Sequence, residues 1–158
     1  MNGYQNILFC TDYSEDAEIA FVHAEDLARR YSAKLHILHV LASGLRYTPS
    51  ETSDTAPPGE VTYASPEVIA KATEELKAHY RDRLEGVAEP AWVVKTGTAF
   101  VEILRYAREN PIDVIVLGAA GTSAQGQTHY GSTVEQVARR APCHIMAIKH
   151  PERAFTLK

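Results

Sequence analysis

The stretch from Ile112 to Thr133 constrains the fold of this chain more than any other. It reads Ile-Asp-Val-Ile-Val-Leu-Gly-Ala-Ala-Gly, runs through nine residues without Lys, Arg, Asp or Glu, and ends in Gly-Ser-Thr. The apolar run Val114 to Leu117, bounded by Pro111 and Gly118, has the length and β-branching of a strand buried on both faces of a parallel sheet. At Gly131 a helical pattern begins, with Val134, Val137, Ala138 and Ala141 on one face. Strand, glycine loop and helix in this order turn backbone N–H groups and the positive end of a helix dipole toward one point. An anion can sit there without a lysine, and phosphate is the obvious guest.

The glycines have separable expected jobs. Gly118 and Gly121 can take positive φ and let a ligand approach the backbone, and Gly131 admits positive φ at the helix start. Their spacing, G-x2-G-x9-G-[ST], is neither that of the P-loop, which ends in Gly-Lys-[ST], nor the G-x-G-x-x-G of dinucleotide folds. Two ligand-free explanations compete. Glycines after a strand commonly serve turns, and Ser132 followed by Glu135 is the pattern of a helix capping box.

Along the rest of the chain, strand and helix patterns alternate. Ile7 to Cys10 is an all-apolar strand stopping at Thr11-Asp12; Ser14 then caps a helix with Glu15 and Asp16 in its first turn. Ala17, Ala20, Phe21, Ala24, Leu27, Ala28 and Tyr31 form the apolar stripe of that helix. Leu35 to Val40 is a second strand, and its His36 and His39 are expected to be packed or hydrogen-bonded. From Leu41 to Ala64 no periodicity appears and Ser, Thr, Asp, Pro and Gly dominate: a long flexible loop, either disordered or a cover. Ser65-Pro66-Glu67 opens a helix through Ile69, Ala72, Leu76 and Tyr80 to about Leu84, before Gly86. A third strand, Ala91 to Val94, leaves at Thr96-Gly97. Thr98 caps a helix that uses Phe100, Ile103, Leu104 and Ala107, and Asn110-Pro111 breaks it. Cys143 to Ile148 is the last strand. This alternation specifies an α/β fold, a parallel sheet with helices on both faces and right-handed crossovers. Ligands on such sheets bind beyond the carboxyl ends of the strands, where Asp12 and Gly118 both emerge.

Composition narrows the function classes. The 158 residues suit one domain, 1–158, and 45% hydrophobic with 23% charged residues is ordinary globular composition. No apolar run is long enough to span a bilayer and no signal-peptide pattern is present, so a cytoplasmic protein is expected. A net charge of −4 without a basic run argues against nucleic acid and anionic membrane as partners. Cys10 and Cys143 lack metal or redox spacing, so two reduced thiols are expected and no metal site.

The Ile-Leu-Phe-Cys-Thr-Asp-Tyr-Ser segment, the Gly97 loop, and Gly118, Gly121, Gly131 and Ser132 together resemble the ATP-binding branch of the universal stress protein family. The resemblance covers nearly the whole chain except 41–64. It implies an open five-stranded parallel sheet of order 3-2-1-4-5, like that of the adenine nucleotide alpha-hydrolases. It further implies a site for ATP, AMP or ADP with Mg²⁺. Thr11 and Asp12 would lie at the ribose, the main chain of Val40 at the adenine, and Gly118, Gly121, Gly131, Ser132 and Thr133 at the phosphates. Two departures stand out: Ala120 occupies a position where many relatives carry a histidine or basic residue, and Cys10 replaces a common proline. With no Lys or Arg between Gly121 and Gly131, amides, the helix dipole and Mg²⁺ must neutralise the phosphates; His129 and Tyr130 fit better as surface or packing residues.

The implied function is a stress-response protein holding an adenine nucleotide as a regulatory ligand, with a regulatory protein partner of unspecified identity. A slow ATP-hydrolysing or phosphate-transferring enzyme is the alternative, but no catalytic base or cation can be named. A nucleotide-free structural dimer is a third reading. The apolar last strand, with Pro142 at its start and few blunting charges, is expected at a sheet edge, where pairing with its own copy would make a homodimer.

Overall fold

The computed structural model describes residues 3–42, 64–120 and 131–151. Among these, strand β1 (Asn6–Thr11) leads to helix α1 (Glu15–Tyr31), β2 (Lys34–Ala42) and α2 (Pro66–Tyr80) with a 3₁₀ turn at Arg81–Arg83. Then come β3 (Ala91–Gly97), α3 (Ala99–Glu109), β4 (Val114–Gly118), α4 (Ser132–Arg140) and β5 (His144–Ile148). The strands form one parallel sheet in the order β3-β2-β1-β4-β5, the order the resemblance implies.

The local chemistry explains the elements. Ser14 caps α1, its Oγ accepting from the Ala17 amide at 3.2 Å, and Glu15, Asp16 and Glu18 place negative charge at the positive end of the dipole. Ser65 does the same for α2, with Pro66 at the first position where its missing N–H is harmless. In β1 and β4 nearly every side chain is buried, as a central strand covered on both faces requires. Alternate residues feed two cores. Ile7, Phe9, Ile37 and Val116 pack with α1 and α2, whereas Leu8, Cys10, Leu38 and Leu117 pack with Ile103 of α3 and Val137 of α4.

Several details depart from the sequence pattern. Thr98 stands at the N-terminus of α3 but makes no side-chain capping bond. Tyr31 and Ala138 are exposed: Tyr31 at the end of α1 packs edge-on against Tyr4 outside the core, and the buried stripe of α4 is carried by Val134 and Val137. β2 runs on to Ala42 because β3 continues to Gly97 as its partner, so the irregular stretch begins later than Leu41. The remainder of that stretch, residues 43–63, lies outside the described residues.

Chain direction reverses at β1. Two crossovers add β2 and β3 on one side, and the third returns to add β4 on the other, so the crevice between the carboxyl ends of β1 and β4 is the topological switch point. Register is set with Thr11 opposite His39 and Cys10 opposite Leu117, so β1 and β4 end level while β2 runs on past them to Ala42.

His36 behaves as the packed strand histidine expected. Its Nε2–H donates to Asn6 Oδ1 at 3.1 Å and its Nδ1 accepts from the Tyr106 hydroxyl at 2.7 Å, an assignment that leaves both ring nitrogens satisfied in the neutral form. Burial, reinforced by Lys34, lowers its pKa to about 4. Between that value and the ordinary 6.5 the unfolded chain binds the extra proton, so the stabilisation is complete above pH 6.5 and is lost as pH falls toward 4. His36→Gln should therefore flatten the dependence of unfolding free energy on pH across this window, by up to roughly 3 kcal/mol relative to wild type, in urea titrations at pH 4 and pH 7. Parallel pH profiles for the two proteins would contradict this role.

Candidate functional site

A cavity of about 490 Å³ opens at the switch point. Its walls come from the ends of β1 (Thr11, Asp12), β2 (His39 to Ala42) and β4 (Leu117, Gly118) and from the start of α4; Cys10, Leu38 and Ile103 make an apolar floor. Thr11, Asp12, Val40, Gly118, Gly131, Ser132 and Thr133 all line it, so residues up to 122 positions apart in the chain meet around one space. Gly121, His129 and Tyr130 lie outside the described residues.

The α4 terminus differs in detail from the sequence pattern. Gly131, not Ser132, is the N-cap, with φ −67° and ψ 162°, so the positive φ expected of it is not used. Among the described residues no side chain caps α4, and Glu135 pairs with Arg139 at 2.9 Å, so the expected Ser132–Glu135 capping box is not formed. The Gly131 amide donates to Ala119 O at 2.8 Å. Ser132, Thr133 and Val134 are thus the first helical residues, whose N–H groups have no intrahelical acceptor, and all three line the cavity. That is the arrangement that attracts an anion.

Gly118 is needed for a reason the spacing does not reveal. Its φ lies outside the left-handed region, but a Cβ built on it would stand 2.7 Å from Asp16 Cβ and 2.8 Å from the Ala17 amide nitrogen. The close approach is to α1, not to a ligand. Two further contacts complete the join: the Ala120 amide donates to Asp16 Oδ2 at 3.0 Å, and Ser14 Oγ donates to Ala120 O at 3.4 Å. On the other side, the Ala119 amide donates to Ile148 O at 2.7 Å. Sequence reasoning placed Asp16 only in the first turn of a helix; its hold on the loop spans 104 positions and leaves no local signal.

At the opposite wall, Asp12 is exposed and its Oδ1 accepts from the Ser14 amide at 3.0 Å. β1 ends opposite His39, so from Val40 onward β2 pairs only with β3, leaving the cavity-side edge of its main chain outside the ladder. His39, assigned no role from sequence, lines the cavity and donates from Nδ1 to Thr11 O at 2.8 Å. None of the described cavity-lining residues is Lys or Arg, and Asp12 adds a carboxyl group, so among them helix amides carry the positive potential. A space with an apolar floor, an exposed carboxyl group at one end and uncapped helix amides at the other suits a molecule with a flat apolar part, hydroxyls and an anionic group.

Gly118→Ala tests the close approach. It should destabilise the fold by roughly 1–3 kcal/mol in urea unfolding, because the rigid backbone of α1 must yield. A neutral substitution would show that the β4 exit and α1 can separate without cost.

Comparison with known proteins gives a consistent result. A model of the universal stress protein family matches residues 3–149. A protein from Staphylococcus haemolyticus named for that family is 30% identical over 165 aligned positions, covering 96% of this chain and 88% of its own length. The solved universal stress protein UspA from Lactobacillus plantarum is 28% identical with a TM-score of 0.66, covering 92% of this chain and 98% of its own. A universal stress protein solved in complex with cAMP shares the fold at 21% identity and a TM-score of 0.57, covering 92% and 97%.

Proposed function

Because the chain belongs to the universal stress protein family, we propose that it binds ATP or a related adenine nucleotide as a regulatory ligand, in the cytoplasm, at the switch-point cavity. The observation that carries this reading is the uncapped start of α4, whose Ser132, Thr133 and Val134 face the same cavity as Asp12 and Val40. In the proposed pose the Asp12 carboxylate accepts from ribose hydroxyls and the unpaired edge of β2 at Val40 meets the adenine. The phosphates lie at Gly131, Ser132 and Thr133, with Gly118 and Gly121 at the loop. Thr11 shapes the ribose end.

The residues present suit Mg²⁺ as a companion of the nucleotide rather than a resident ion. Among the described residues no cluster of three His, Cys, Asp or Glu could hold a metal, whereas bound phosphates would supply hard oxygen ligands and Asp12 and the hydroxyls of Ser132 and Thr133 lie in the same cavity. No described residue lining the cavity is both a base poised for water and paired with a cation, which favours holding the nucleotide over turning it over; slow hydrolysis is the alternative reading. Signalling would then pass through a protein partner that reads the nucleotide-bound state.

Ser132→Ala should lower nucleotide affinity about three- to tenfold by isothermal titration while leaving stability nearly unchanged, since Ser132 caps nothing. Mass spectrometry of freshly purified protein should find an adenine nucleotide. Protein that arrives empty and binds none on titration would remove the reading.

The dimer belongs to the same proposal. Among the described residues β5 pairs with β4 on one side only, and its Ile145, Met146, Ala147 and Ile148 are half-buried rather than buried, as an edge awaiting a partner strand would be. A two-fold copy pairing β5 with β5 leaves both cavities open. Ala147→Pro, which removes a ladder donor, should shift the dimer toward monomer in light scattering; a wild type that is monomeric at micromolar concentration would exclude this interface.

A further inference from the structure

Behind the Asp12 turn lies a polar cluster that touches the cavity only through Thr11 and His39. Tyr13 adopts the left-handed conformation, φ 61°, which a bulky residue rarely takes. Three rings hold it there: His39 at 4.8 Å, His79 at 5.0 Å and Tyr80, stacked at 6.1 Å with an interplanar angle of 11°. Below it runs a directed hydrogen-bond chain. The Tyr13 amide donates to Thr11 Oγ1 at 3.0 Å, and Thr11 Oγ1 lies 2.5 Å from the Tyr80 hydroxyl, which donates to Glu18 Oε1 at 2.9 Å. Because the single Tyr80 proton goes to Glu18, Thr11 must donate to Tyr80. Glu18 is anchored in turn by His79 Nε2 at 2.9 Å and by Arg83.

We propose that Tyr80 is a positioning residue for the ribose end of the cavity: through Thr11 it fixes the left-handed turn at Tyr13 and thereby the placement of Asp12. The proposal rests on the nucleotide reading of the cavity. Tyr80 reaches this turn from α2, has no exposed surface and does not line the cavity, so any effect it has on a ligand passes through Thr11 and Asp12. Consecutive bonds of this kind polarise one another, and each hydroxyl proton in the chain has an acceptor, so breaking one link weakens the hold on the turn. A helix remote in sequence, with His79 exposed at its surface end, thereby acquires leverage on ligand specificity. Anything that displaces α2, including a protein partner bound over His79, would loosen the ribose contact before it touched the phosphates.

The test is Tyr80→Phe, which keeps the ring and its packing and deletes one oxygen, titrated with ATP and with 2′,3′-dideoxy-ATP in the presence of Mg²⁺. Wild type should prefer ATP. The variant should lose about three- to tenfold in affinity for ATP and less than twofold for the dideoxy analogue, because only the hydroxyl contact depends on the turn. Thr11→Val, which breaks the same chain one link nearer the ligand, should show the same selective loss. Equal losses for both nucleotides, or no loss for either, would overturn the positioning role while leaving the nucleotide site intact. A wild type that does not distinguish the two ligands would remove the ribose contact from Asp12 and this proposal with it. A wild type that binds neither would overturn the nucleotide reading itself.

Discussion

The buried contact between Asp16 and the Ala120 amide is the interaction on which the site depends. A carboxyl group with 1% of its residue exposed is costly to bury unless it is hydrogen-bonded, and here the bond joins the first turn of α1 to the chain leaving β4. Gly118 allows the two backbones to come close enough for that bond to form. Once the exit of β4 is pinned to α1, the Gly131–Ala119 bond brings the chain back to the same place and aims α4 across the strand ends. The cavity is what remains between that helix and the ends of β1 and β2.

This arrangement divides the loop amides between two tasks. Those of Ala119, Ala120 and Gly131 are committed to the protein, and those of the first residues of α4 have no acceptor among the described residues. A loop that binds anions through a lysine can tolerate a poorly placed backbone, since a long cationic side chain adjusts to its guest. With neither Lys nor Arg among the described residues of the cavity wall, attraction there comes from dipoles of fixed direction, so the orientation of α4 has to be built by tertiary contacts.

The two faces of the sheet also divide their labour. On the α3 and α4 side the core beneath the cavity is apolar, with Cys10 a buried thiol whose pKa is raised by burial and then by Cys143, as suits an inert packing residue. On the α1 and α2 side, aromatic rings of Phe9, Phe21 and Tyr80 surround the hydrogen-bond chain that ends at Glu18. Burial pushes the Glu18 carboxyl up, but hydrogen bonds from Arg83, His79 and Tyr80 outweigh it and leave the group below its ordinary range. A charged Glu18 is therefore a stable end point for the chain of donors that begins at Tyr13.

The sequence by itself determined the class of fold and the approximate place of its elements, because both are written in local periods. Runs such as Ile7 to Cys10 and Val114 to Leu117 have the length and apolar character of strands covered on both faces, and the stripe from Ala17 to Ala28 has the period of one helix face. The glycine spacing marked the loop, and Asp12 and Gly118 at strand ends marked the side of the sheet. Tertiary structure alone decided what each marked residue does. Gly118 serves a close approach to Asp16 and Ala17, Gly131 takes the cap position that Ser132 was expected to hold, and Thr98 makes no capping bond. Asp16, His39 and Tyr80 acquired roles through partners 104, 28 and 69 positions away. Periodicity reports which way a side chain faces; it carries no information about which atom will be waiting there, since that partner is supplied by the crossover connections of the sheet.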